Sequence, residues 1–191
     1  MIEAKTNIPV VAISYGSGYG GNADKFTDVK NSIKLLGSIF DKKIVANSIL
    51  TFMDRESVIL RDELKLRPGV YIAGIGFKGA QGFFSSEGDY LPFEMLGLKN
   101  SVTSQSGHVS LQKESVLSVN PEYIFIDKMG EKIINEEMKK DKSYFAKLKA
   151  FQEGKVKTLP PYNFYNTNVE NCFINAYIIK NSLQGKALNR K

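Results

Sequence analysis

Cysteine, histidine and arginine are scarce in this chain of 191 residues, with one, one and four copies. Each scarcity closes off a class of chemistry. A single cysteine, Cys172, excludes an intramolecular disulfide and cysteine-rich metal sites. It falls on the apolar face of a helical pattern, so it reads as a small buried hydrophobe rather than a nucleophile. His108 is the only histidine, which removes histidine-rich zinc sites and leaves one candidate general base. It lies in the polar stretch SQSGHVS and reads as a surface residue. There is no G-x-S-x-G elbow and no Walker A motif. No run approaches the ~20 apolar residues of a membrane span. The opening MIEAKTNIPVV has no basic segment followed by an apolar one, so the expectation is a chain without a secretory signal. That suits a cytosolic protein, and equally a fragment from which a leader has been removed. We expect no enzyme, no catalytic residue, no cofactor and no resident metal.

What is present is ordinary for a globular protein, with 42% hydrophobic and 24% charged residues. The length suggests one domain with room for an appendage. The net charge of +6 comes mostly from lysine, concentrated in KKDKSYFAKLKAFQEGKVK, residues 139–157. With so few arginines and no recognised nucleic-acid motif, this stretch reads as a solvated helix face, and no nucleic-acid partner is expected.

Hydrophobic periodicity predicts the elements. IPVVAIS, residues 8–14, reads as a buried strand. Val29, Ile33, Leu36 and Phe40 are spaced for a helix, residues 41–43 are a break, and 42–64 predict one long helix ended by Arg67-Pro68-Gly69. GVYIAGIG, YIFID and KVKTLP predict strands at 69–76, 123–127 and 155–160. Between them come a short helix near 92–98, a helix over 110–119 with Ser110 as N-cap, and a helical region from 131 to Gly154. The last helix opens on Thr167-x-x-Glu170, a capping box, and buries Val169, Cys172, Phe173, Ala176, Tyr177 and Leu183. Strands alternating with helices predict an α/β fold: a mainly parallel sheet flanked by helices, a Rossmann-like lobe preceded by a long connecting helix.

Gly16-Ser17-Gly18-Tyr19-Gly20-Gly21 fits the G-x-G-x-x-G pattern of a dinucleotide-binding turn. Such a turn needs a second strand within a ~30-residue unit, ending in an acidic residue for the ribose. Here the next convincing strand lies beyond residue 69 and runs into Gly76-Phe77-Lys78. The match is weak.

Ligands of open α/β sheets sit at the carboxyl ends of the strands, which directs attention to loops 15–22, 77–90 and 160–166. These collect aromatic, hydroxyl and amide side chains with one lysine: Tyr15, Lys78, Ser85, Ser86, Tyr90, Tyr162, Asn163 and Tyr165. Phe83, Phe84 and Phe164 belong to the same loops, either as ligand surface or as anchors to the core. Together they suit a concave site for a bulky organic or chelated ligand.

VYIAGIGFKGAQGFFSSEGDYLPFEMLGLKN, then SLQKESVLSVNPEYIFID, then LKAFQEGKVKTLPPYNFYNTNVENCFINAYIIKNSL together resemble the carboxyl-terminal lobe of the iron-siderophore and cobalamin-type (class III) periplasmic substrate-binding proteins of ABC importers. The resemblance covers residues 69–183. It implies three parts: 1–22 as the end of an amino-terminal lobe otherwise absent, 23–64 as the connecting helical region, and 65–191 as the carboxyl-terminal lobe. It implies a monomeric, extracytoplasmic or periplasmic binder, in some members a lipoprotein, with its ligand in a cleft between lobes. That ligand would be an iron complex such as a ferric siderophore, or another metal chelate, haem, cobalamin or an oxyanion. The resemblance further implies docking on an ABC permease of the inner membrane through Glu114. Two other readings stay open at this point: a small Rossmann-like nucleotide-binding enzyme, and a free-standing interaction module.

Overall fold

The computed structural model describes residues 25–62, 64, 66–76, 81–162 and 169–185. The strand expected at 8–14, the GSGYGG turn and the capping box at Thr167 lie outside the described residues. The chain divides into two compact units, Met1–Met53 and Asp54–Lys191.

In the first unit, α1 (Lys25–Ile39) and the start of α2 (Lys43–Asp62) form a helical hairpin. The helix breaks at residues 40–42, one position before the 41–43 expected from sequence. The amide of Lys42 donates to the Gly37 carbonyl at 2.7 Å, and Asp41 turns the chain at a φ of 51°. Gly37 is needed for the crossing, because a Cβ there would come within 2.4 Å of the Ala46 Cβ. The segment 42–47, the one place a dinucleotide fold could have hidden its second strand, is turn and helix.

The second unit is built on a parallel sheet of β1 (Val70–Ala73), β4 (Tyr123–Asp127) and β5 (Val156–Leu159), in the order β1-β4-β5. The central strand pairs Tyr71 with Ile124 on one side and Ile124 with Val156 on the other. Four consecutive buried residues in β1 mark a strand covered on both faces. One face, with Tyr71, Ala73, Ile124 and Ile126, joins Phe83, Val116, Ile134, Phe145 and Leu148 in the main core. Phe83 comes from the segment just before residue 85, and the other four from α4 (Lys113–Val119), α5 (Glu131–Lys140), α6 (Lys142–Phe145) and the turn after it. On the other face Phe125 meets Phe93 of α3 (Leu91–Met95) edge-on at 5.9 Å, and α3 packs on α8 (Val169–Leu183). Within α8, Cys172, Phe173, Ala176 and Leu183 are buried, as their spacing predicts, but Tyr177 is only half-buried; the Val169 side chain lies outside those described.

Two predictions are corrected. The helix expected over 110–119 starts only at Lys113, because β2 (Ser85–Glu87) and β3 (His108–Ser110) form an antiparallel ribbon pairing Ser85 with Ser110. Ser110 is therefore a strand end, and Gln112 takes the N-cap position of α4. The helical region from 131 is three short helices, α5, α6 and α7 (Lys149–Gln152), because Asp141 stops one and caps the next. Its carboxylate accepts from the Tyr144 amide at 3.2 Å. The helical region does close at Gly154, at a φ of 66°.

Candidate functional site

The carboxyl ends of the three parallel strands, Ala73, Asp127 and Leu159, define one edge of the second unit. The chains leaving β1 and β4 touch there through glycine. A Cβ on Gly130 would lie 2.6 Å from the Gly74 Cα and from the Gln81 carbonyl oxygen, so no larger residue fits. Gly74 itself turns the chain out of β1 at a φ of 84°.

Asp127, the last residue of β4, organises this edge. One carboxylate oxygen accepts from the Met129 amide at 2.8 Å and the other from the Tyr162 amide at 2.6 Å. The segment that leaves β5 is thus pinned to β4. Helix α8 holds the same segment from the other side. Asn175 donates to the Pro160 carbonyl at 3.1 Å and to the Tyr90 hydroxyl at 3.0 Å, and Asn171 donates to the Pro161 carbonyl at 3.3 Å. Tyr90 and Tyr162 meet edge to face, with ring centroids 4.8 Å apart. The result is a clasp on residues 160–162, made by one carboxylate, two amides and one ring.

Burial sets the electrostatics of the clasp. Asp127 is desolvated, and this outweighs its two amide donors, so its carboxyl is raised from 3.8 to about 6. Burial pushes the Tyr90 phenol well above its ordinary range, with the Asp127 charge adding to the effect. The Tyr162 phenol is raised in the same way by burial, then by the Glu87 carboxylate and the Cys172 thiol. Both phenols stay neutral at any physiological pH. The clasp has neutral rings around one titratable carboxylate, with an acceptor, the buried Asn175 Oδ1, left without a partner.

Of the residues read from sequence, Tyr90 and Tyr162 are brought together here. Tyr90 is fully buried, whereas Tyr162 is half-buried at the end of the described strand-loop. Ser85 and Ser86 stand apart from them, buried on β2 beside β1. Their hydroxyls donate to the Ile75 and Ile72 carbonyls at 2.7 and 2.6 Å, and the Ser86 oxygen also accepts from Asn100 at 2.8 Å. Tyr15, Lys78, Asn163 and Tyr165 lie outside the described residues. Phe83 is an anchor: it is buried among Tyr71, Phe84 and Phe145, with centroids at 5.6, 5.3 and 4.9 Å. Sequence reading missed Asp127, Asn171 and Asn175. The signal for Asp127 was its place at the carboxyl end of YIFID; the two asparagines sit four apart on α8, and nothing in their spacing marked them.

Glu114 is exposed in the first turn of α4. It borders a shallow hollow of about 210 Å³ with Lys113, Tyr144 and Lys147. The Tyr144 phenol is pushed up to about 12 by burial, then by the Glu114 and Asp141 charges. A larger hollow of about 700 Å³ lies between α3 and residues 97–106, with Tyr90 and Phe93 among its walls and Lys99, Thr103 and Gln105 around it. Among the described residues no group of three or more His, Cys, Asp or Glu side chains could hold a metal ion. Nor, among them, is any helix long and apolar enough to cross a membrane.

No protein-family model matches the chain, and no curated protein is similar to it. Solved structures are. An ABC transporter substrate-binding protein from Listeria monocytogenes EGD-e superposes with a TM-score of 0.71 at 17% identity, over 96% of this chain and 71% of that one. The molybdate periplasmic binding protein of a Haemophilus influenzae ABC transporter gives 0.68 at 20% identity, over 96% and 61%. The triscatecholate siderophore binding protein of Bacillus subtilis, complexed with ferri-bacillibactin, gives 0.64 at 15%, over 84% and 61%. The chain thus has the fold of these binding proteins and spans only part of their length.

Proposed function

We propose that this chain is the carboxyl-terminal lobe, with its connecting helix, of an extracytoplasmic substrate-binding protein feeding an ABC importer. The observation that carries the proposal is the clasp at the carboxyl edge of a sheet whose fold is shared with such binders. It holds the 160–162 segment rigidly just where the Tyr-rich run 162–165 begins. A ligand wall needs its contact side chains held in place, because ordering them on binding would cost affinity. In this assignment Tyr162 would contact the ligand, and Asn163, Tyr165 and Lys78 are the neighbours assigned to it in the same unit. Of the buried residues, Tyr90 backs Tyr162 directly, while Ser85 and Ser86 brace β1 and the chain leaving it.

The ligand class is a metal chelate with organic flanks, with a ferric siderophore as the leading member. Neutral aromatic rings match the flanks, and Lys78 would answer an anionic chelate. The lobe performs no chemistry. Glu114, exposed on α4, would present its carboxylate to the permease.

One wall of a cleft binds more weakly than two, so saturable but weak binding is expected of this chain alone. The chain has no tryptophan, so its emission comes from its nine tyrosines, Tyr162 and Tyr165 among them. Ferric catecholate is expected to quench it saturably, with about tenfold weaker binding in Tyr162→Ala. Stronger saturation by molybdate than by ferric catecholate would move the ligand class to oxyanions, and saturable nucleotide binding in place of both would overturn the reading. In the complete protein, Glu114→Ala is expected to lower uptake while leaving ligand affinity unchanged; unaltered uptake would remove the docking role.

A further inference from the structure

The lysine-rich stretch 139–157 holds seven lysines against two acids, Asp141 and Glu153, and no arginine. Both acids are already occupied. Asp141 pairs with Lys113 at 2.6 Å, and Glu153 pairs with Lys155 at 2.7 Å and more loosely with Lys149 at 3.9 Å. Lys139, Lys140, Lys142 and Lys147 make no ion pair, and all four are exposed. They sit in one corner, where α5 ends, α6 follows after a single residue and α7 begins shortly after. Lys139 and Lys140 complement the carboxyl end of α5. That accounts for two of the four charges and leaves Lys142 and Lys147 without a structural task.

Topology fixes where the corner lies. Strands β4 and β5 are parallel, so α5, α6 and α7 must carry the chain back from the carboxyl end of one to the amino end of the other. The corner therefore lies toward the amino ends of the strands, away from the Tyr162 clasp. Its chemistry favours one kind of anionic partner. A free phosphate would want an enclosed pocket, but the neighbouring hollow carries the Glu114 and Asp141 carboxylates. A nucleic acid would want guanidinium forks and stacking rings. The chain has no arginine between Arg67 and Arg190, and Tyr144 and Phe145 are buried. Exposed lysine ammonium groups without a groove suit a broad, diffuse negative surface.

We propose that this corner is a docking surface for a bilayer of anionic phospholipid, which holds the second unit with its aromatic edge turned away from the lipid. The inference does not depend on the importer reading. It is tested by sedimenting the chain with vesicles of phosphatidylglycerol and phosphatidylcholine in equal parts, at low salt. Each lysine near such a surface contributes about a fivefold gain. The quadruple variant Lys139→Gln, Lys140→Gln, Lys142→Gln, Lys147→Gln is expected to lose about six-hundredfold in binding. A control, Lys34→Gln, Lys42→Gln, Lys43→Gln, Lys99→Gln, removes the same charge from exposed positions elsewhere and is expected to stay within about threefold of the parent. Physiological salt is expected to weaken the parent's binding at least tenfold, leaving pure phosphatidylcholine unbound throughout. Equal losses in the two variants would reduce the effect to net charge and overturn the proposal. So would tighter binding to duplex DNA than to the vesicles, or no sedimentation at all. Thermal melts of both variants check that the fold is retained.

Discussion

Asp127 is the residue on which the clasp turns, and its chemistry makes a signed prediction. Its carboxyl is raised from 3.8 to about 6 because burial penalises the charged form more than two amide donors reward it. The group therefore favours the folded state fully below its unfolded pKa, and that contribution is lost as pH rises through about 6. The swing is on the order of 3 kcal/mol. Stability is expected to decline across this window in the parent and to be flatter in Asp127→Asn. The side-chain carboxyl carbon should titrate with a midpoint near 6, moving the Tyr162 amide resonance with it. A midpoint near 4 would mean that the carboxylate is solvated and the clasp open. Ser86 supplies a second test. Its hydroxyl bridges the Ile72 carbonyl and the Asn100 amide in a buried position. Ser86→Ala is expected to cost about 1–3 kcal/mol in denaturant unfolding; no loss would mean that solvent replaces both bonds. The sequence placed Ser85, Ser86 and Tyr90 in a loop leaving the sheet, whereas Ser85 and Ser86 stand on strand β2. Composition could not tell hydroxyls turned toward a ligand from hydroxyls turned toward the backbone.

At the scale of elements, legibility followed hydrophobic content. VYIA and YIFID are read directly because strands covered on both faces need unbroken apolar runs. The ribbon of SSE and HVS escaped notice because three-residue strands with polar side chains carry no periodicity. The helix expected over 110–119 was over-extended for the same reason: Ser110 is drawn into pairing with Ser85. Glycine gives the element-scale prediction. Gly130→Ala would drive a Cβ against the backbone of both Gly74 and Gln81, which cannot swing aside. It is expected to destabilise by about 2 kcal/mol or more. Gly154→Ala meets nothing within 4 Å and is strained only by its φ of 66°, so about 1 kcal/mol is expected. Equal unfolding midpoints for the two variants would contradict the close approach of the chains leaving β1 and β4.

At the scale of the molecule, the fold was legible because strand and helix signals alternate in the order that a parallel sheet requires. The G-x-G-x-x-G turn lies outside the described residues, and α1 and α2 occupy the stretch where a dinucleotide fold needs its second strand. Ligand identity was not legible, since chelates, haem and oxyanions can all be held by aromatic and amide groups whose spacing no sequence pattern records. The central claim is that the carboxyl edge at Tyr162, and not the hollow beside α3, receives a metal chelate. Amide shift mapping with gallium catecholate, a diamagnetic stand-in for the ferric complex, tests it most directly. The account expects perturbed resonances at residues 128–130 and at Tyr162. Shifts confined to residues 97–106, or none at saturating chelate, would contradict it.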